Sequence, residues 1–177
     1  MITIPKASAS PTTVQTNCPS TTGAVDLSTL PTSSSPVANS VVIPVGTVAT
    51  IGANARYPAA GLYGRITVEG TLIILDRNVE LHLMAMWVKA GGAFLIGSPT
   101  CRVEGPILIE YHDGVNIADV GNFGRKGMLV EPGATLDMFG HEYHYTWTRL
   151  AASVDAGSTT MELQEGVNWQ PGQRIML

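Results

Sequence analysis

Charge is scarce in this chain. Of its 177 residues, 14% are Asp, Glu, Lys or Arg, and the net charge at pH 7 is −4. A soluble domain usually carries about 25%, and a nucleic-acid binder gathers its Lys and Arg into a basic face. With 10 basic residues against 14 acidic ones, no phosphate-binding footprint is expected. Long apolar runs are missing as well. The run Leu83–Val88 stops after six residues, far short of the roughly 20 that span a bilayer, so no membrane span is expected. No stretch beyond about ten residues carries a 3.6-residue apolar stripe, which leaves little room for helix. The opening residues include Pro5 and Lys6 and lack an apolar core, so no secretory leader is expected there. There is no G-x-S-x-G elbow and no phosphate loop, so nucleophilic and phosphoryl chemistry have no support. Cysteine is limited to Cys18 and Cys101, without any C-x-x-C spacing. Two free thiols and one disulfide both stay open on that count.

Glycine and proline are plentiful, at 19 and 11. The glycines recur inside one phrase, an apolar pair or triplet, a glycine, then a second apolar run. The copies are Val42–Ile51, Ile66–Leu75, Trp87–Ile96 and Met128–Met138, with a weaker one at Val103–Ile109. Gly46 to Gly70 is 24 residues, Gly70 to Gly92 is 22, and Gly92 to Gly133 is 41, close to two periods. A period in the low twenties built from strands is the mark of a β-solenoid. The predicted fold is all-β, a short right-handed parallel β-helix with an extended N-terminal arm. Branched residues at Ile66, Val68, Ile73, Ile74, Ile107 and Ile109 suit buried strands. In Glu80–Val88, strict alternation sets Leu81, Leu83, Ala85 and Trp87 on one face and His82, Met84, Met86 and Val88 on the other.

Residues 1–40 differ in texture. Ser, Thr and Pro dominate them, with few large apolar groups to bury, so an arm or linker is expected, open to O-glycosylation or to lying along a neighbouring subunit. No N-x-[ST] sequon occurs anywhere. Residues 41–177 are expected to form the solenoid domain, ending in an apolar strand over Val167–Leu177 that another chain can pair with.

Two polar clusters interrupt this pattern. Glu110–Gly127 holds His112, Asp113, Asp119, Arg125 and Lys126, a mixture suited to a sugar polymer or calcium, or to a solvated loop. Paired carboxylates are also the usual machinery of glycoside cleavage. The second cluster is His141–Trp147. In an extended strand His141, Tyr143, Tyr145 and Trp147 share a face, where they can stack on sugar rings or plug the solenoid end. His141 and His144 lack a third firm ligand, so no metal is assigned.

The stretches Ile66–Leu75, Met86–Cys101, Leu129–Gly140 and Thr146–Leu150, followed by Val167–Ile175, resemble the G8 domain, an eight-glycine β-helix module of hyaluronan-binding and fibrocystin-like surface proteins. The resemblance covers about residues 40–177. It implies that Cys18 pairs with Cys101, and with it an oxidising compartment, extracellular or at the cell surface. It also implies a non-catalytic module for glycan or matrix recognition or for structural assembly, within a larger surface or secreted protein. The ligand would be a polysaccharide such as hyaluronan, held by His112, Asp113, Asp119, Arg125, Lys126, His141, Tyr143 and Tyr145, with no cofactor beyond room for calcium. A subunit of an extracellular fibre, self-associating through its arm and terminal strand, is an alternative. A hyaluronan depolymerase is a further one. Asp113 and Asp119 look equivalent to the acidic loop of the degrading relatives, but His112 stands where those carry an arginine.

Overall fold

A computed structural model describes residues 16–34, 37–52, 54–75, 78–113, 126–141, 147–169 and 174–176. Its first strands are β1 (Val25–Asp26), β2 (Thr32–Ser33), β3 (Ser40–Ile43), β4 (Val48–Ile51), β5 (Arg56–Tyr57) and β6 (Tyr63–Val68). There follow β7 (Thr71–Ile74), β8 (Val79–Val88), β9 (Ala93–Ile96), β10 (Ile107–Tyr111), β11 (Gly127–Val130) and β12 (Thr135–Met138). The one helical element among the described residues is a 3-10 turn, Leu27–Thr29. Contacts divide the chain into two compact units, Gln15–His141 and the remainder.

The larger unit is a parallel β-solenoid of about three turns. One sheet runs β1-β4-β7-β9-β12, every neighbour parallel. The other runs β10-β8-β6-β3-β2, with β11 and β5 also on β8. Parallel coils stack like residues on like, so the apolar positions form ladders. Ala49, Leu72, Phe94 and Leu136 are in register across one sheet. Val41, Ile66, Met86 and Met128 are in register across the other. The inner coils of these ladders are buried: Val41, Ile66, Leu72, Met86 and Phe94 are at most 1% exposed. At about 25 cal/mol per Å² of apolar surface, such ladders are the main favourable term holding the coils together.

Glycine does two jobs at the corners. Gly46, Gly91 and Gly133 take φ of 77°, 83° and 85°. Each is the third residue of a turn closed by a backbone bond, as from Thr47 N to Pro44 O at 3.0 Å. That position of a type II turn favours glycine. Gly70 and Gly92 instead let coils approach, because a Cβ there would run into the Pro44 and Val68 carbonyls respectively.

Two expectations change. The 41 residues from Gly92 to Gly133 make one coil rather than two. Thr135 pairs directly with Ala93, and β10 and β11 lie end to end along β8, opposite Val79–Leu83 and Ala85–Val88. The weaker copy at Val103–Ile109 is therefore no extra rung; most of the additional length falls between β10 and β11 and the rest between β9 and β10. Strict alternation along β8 also fails. Val79, Leu81 and Leu83 join the main core, and so do Met86 and Val88, while Met84 and Ala85 pack with Val37 and Leu62. The inward face slips by one residue between Leu83 and Met86, because one strand must serve two stretches of each neighbouring coil.

Part of the Ser/Thr-rich segment is built into the solenoid. β1 pairs with β4, and Leu27 is fully buried. Asp26 caps the 3-10 turn, accepting from the Ser28 amide at 2.9 Å and from the Tyr57 hydroxyl at 2.6 Å. Cys18 and Cys101 form a disulfide with Cα atoms 4.9 Å apart. Thr16 and Thr100 clamp it on the flank through bonds of 3.0 and 2.6 Å. In the second unit, taken by itself, Leu150 and Leu163 form an isolated antiparallel bridge, and no strand is assigned among its described residues.

Two predictions follow from these ties. The disulfide spans 83 residues, so Cys18→Ser is expected to cost about 4 kcal/mol in the chain-entropy account, read as a lower urea midpoint. Alkylation of the unreduced protein followed by mass spectrometry should find both cysteines unlabelled. Burial works to raise the Asp26 carboxyl, but bonds from the Ser28 hydroxyl, the Tyr57 hydroxyl and the Ser28 amide outweigh it and hold it below its ordinary value. A lowered folded value stabilises the fold above the unfolded value of about 3.9, and that contribution fades as pH falls through the folded value. Asp26→Asn should therefore lower the melting temperature at pH 7 and flatten its decline below about pH 4. An unchanged acid limb would sink this account.

Candidate functional site

Polar groups are rare among the inner coils, and the densest described cluster sits where β10 runs along β8. The register sets Glu110 opposite His82. His112 lies two residues beyond Glu110, on the same side of the extended chain, and its amide donates to the Leu83 carbonyl at 2.8 Å. This brings His82 Nδ1 and His112 Nε2 to 2.9 Å, their ring centroids 5.2 Å apart. Glu110 faces both rings, Oε2 at 3.3 Å from His82 Nδ1 and Oε1 at 3.7 Å from His112 Nε2. On its far side His82 Nε2 lies 3.5 Å from Glu80 Oε2. His82 is buried at 8% exposure, whereas His112 is half-buried and Glu110 exposed. Between them, Tyr111 has its phenol pushed up to about 12 by burial.

The other expected residues are distributed unevenly. Asp113 and Lys126 are exposed, at the two borders of the polar segment. His141 stands apart from His112 and meets Glu104, Nδ1 to Oε2 at 2.6 Å, beside the bridge between Val103 and Gly140. Asp119, Arg125, Tyr143 and Tyr145 lie outside the described residues. Trp147, considered as a plug for the solenoid end, is 70% exposed.

Two features escaped the sequence. His82 and Glu110 read as strand residues, and only the 28-residue offset between β8 and β10 makes them partners. A histidine inside an otherwise apolar strand was the available signal. The second is Trp87, whose indole Nε1 donates to Glu131 Oε1 at 2.8 Å, with Arg65 and Lys89 at 5.4 and 5.0 Å from its ring. Glu131 also accepts from the Ala90 amide at 2.9 Å, so it fastens the last coil's corner to the coil before it. In the second unit an open depression of about 570 Å³ has Asp155 and Glu162 as its ionisable lining.

The family model of the G8 domain matches residues 28–151. A G8 domain-containing protein of Dictyostelium discoideum is 31% identical over 152 residues, 84% of this chain and 13% of that protein. Communication mutant protein F of the same organism is 31% identical over 141 residues, 77% of this chain and 12% of its own length. Human fibrocystin-L is 33% identical over 108 residues, 61% of this chain and 2% of that protein. The chain thus spans a small part of each of these relatives. No solved structure matches it.

Proposed function

The chain belongs to the G8 domain family, and from that premise we propose that it is a non-catalytic extracellular module that recognises a matrix polysaccharide, hyaluronan or a related glycan, as part of a larger surface or secreted protein. The disulfide between Cys18 and Cys101 supports the compartment, since such bonds persist where the medium is oxidising. The observation that carries the glycan reading is the edge formed by His82, Glu110, His112 and Asp113. It gathers hydrogen-bonding groups on the outer side of a stiff parallel ladder whose inward positions are apolar. Sugar hydroxyls are bound by planar polar groups held still, and strands about 4.8 Å apart hold them at fixed intervals. Asp113 and Lys126 border the segment that leaves this edge and returns to it.

Catalysis finds less support. Cleavage of a glycosidic bond needs two carboxyls facing across it, about 5–9.5 Å apart. Here Glu110 is turned to two imidazoles, Glu104 to His141, and Glu131 to Trp87 and the Ala90 amide.

One observation favours assembly as a second role. Leu136 and Met138 of β12, the last strand of its sheet, are 39% and 47% exposed, although Phe94 and Ile96 one coil earlier are buried. Covering what remains exposed of these two side chains is worth roughly 1 kcal/mol each, a driving force for a further chain to stack on that rung.

Retention on a panel of immobilised polysaccharides that includes hyaluronan tests the first role. The wild type should be retained, and His112→Ala with Asp113→Ala should abolish retention, with a cooperative melting curve checking that the double variant still folds. No retention on any polymer, or retention indifferent to the double change, would overturn it. Hyaluronan solutions should keep their viscosity in the protein's presence. For the second role, sedimentation should show concentration-dependent association that Leu136→Lys with Met138→Lys abolishes.

A further inference from the structure

We propose that His82, Glu110 and His112 form a binding site for a divalent transition ion of the zinc class. The three side chains come from two strands and the residue just past β10, and their donor atoms all lie within 4.8 Å of one another. The separations are 2.9, 3.3 and 3.7 Å. A tetrahedral ion with bonds of about 2.0–2.1 Å sets its ligand atoms roughly 3.3 Å apart; the nitrogen pair is closer than that, and the two Glu110 distances, which end on different carboxylate oxygens, lie at and just beyond it. Small side-chain rotations bring them onto it.

Electrostatics argues for a cation at this point. With both rings neutral, a single proton can lie between His82 Nδ1 and His112 Nε2. Whichever nitrogen holds it, the other spends its one lone pair accepting that proton and offers no donor to the Glu110 oxygen facing it. Two acceptors facing each other at a half-buried position repel. An ion accepts from both nitrogens and the carboxylate and removes the conflict.

The surroundings complete the pattern. His82 is buried, and its other nitrogen faces the Glu80 carboxylate at 3.5 Å, the kind of outer partner that fixes the tautomer of a metal-binding imidazole. The side chains of His112 and Glu110 are 31% and 48% exposed, so the shell is filled from the solvent side. Two imidazoles and one carboxylate with a vacant vertex match a three-ligand zinc arrangement. They do not suit calcium, which takes six to eight oxygens. The site stands on this geometry alone and does not depend on glycan binding.

The test uses the full chain stripped with a chelator, then titrated calorimetrically with zinc and followed by cobalt absorption. The wild type should bind an equivalent of zinc that is lost from His112→Ala and from Glu110→Gln, with tetrahedral cobalt bands lost in parallel. Affinity should drop at least about tenfold, since removing even an outer partner of a ligand costs about 10–100-fold. Zinc should also raise the melting temperature of the wild type and not of either variant. Absence of zinc binding, or the same stoichiometry and affinity in all three proteins, would leave a histidine–histidine hydrogen bond and overturn the proposal. Both changes are on partly exposed side chains, and the melting temperature without metal checks that the variants fold.

Discussion

Register between successive coils is the constraint on which everything else in this molecule rests. A single coil of some two dozen residues cannot bury its apolar edge, so each one is stable only through the coils on either side of it. Because the pairs are parallel and in register, a side chain's surroundings are set by the residues at its own rung position above and below. Val41, Ile66, Met86 and Met128 illustrate this: none has a sequence neighbour that covers it, yet the inner three are buried to 1% or less. The glycine corners serve the same requirement. A Cβ at Gly70 or Gly92 would collide with a carbonyl of the preceding coil and force the stack apart.

Solenoids need their ends managed, and this one does so differently at the two ends. At the start, Leu27 tucks into the core and Asp26 joins the 3-10 turn to Tyr57, whose hydroxyl in turn accepts from the Gly52 amide at 3.1 Å. Burial, with help from Asp26, raises the Tyr57 phenol, which therefore stays a donor to the carboxylate. The disulfide adds a covalent tie from the same segment to Cys101. At the other end Leu136 and Met138 carry the ladders outward without equivalent cover. The relatives the chain matches are several times its length.

Polar side chains on this scaffold gather where the coil is interrupted. β8 is the one long strand, and its neighbours on both sides are split: β5 and β6 along one edge, β10 and β11 along the other. The slip of its inward face between Leu83 and Met86 marks the same place. Glu110 and His112 alternate with Ile109 and Tyr111, which pack against the core, so they can be polar without disturbing it. His82 is the exception, a polar group within the stack whose neighbours include those two side chains.

Glycine spacing, branched apolar runs and the lack of a helical stripe were enough to specify a parallel solenoid, because coil stacking is a local pattern repeated and the repeat is written along the chain. The kinship followed from residue order, and the pairing of Cys18 with Cys101 from that kinship. Sequence could not decide that Gly92 to Gly133 closes a single coil, since a long excursion and an additional rung have the same length. Nor could it show that alternation slips within β8, which depends on how neighbouring coils divide that strand. Likewise, His82 and Glu110 are separated by 28 residues, and only the register between two strands makes them neighbours. Distances between side chains on different coils are a product of stacking, and stacking is where the tertiary structure had the final word.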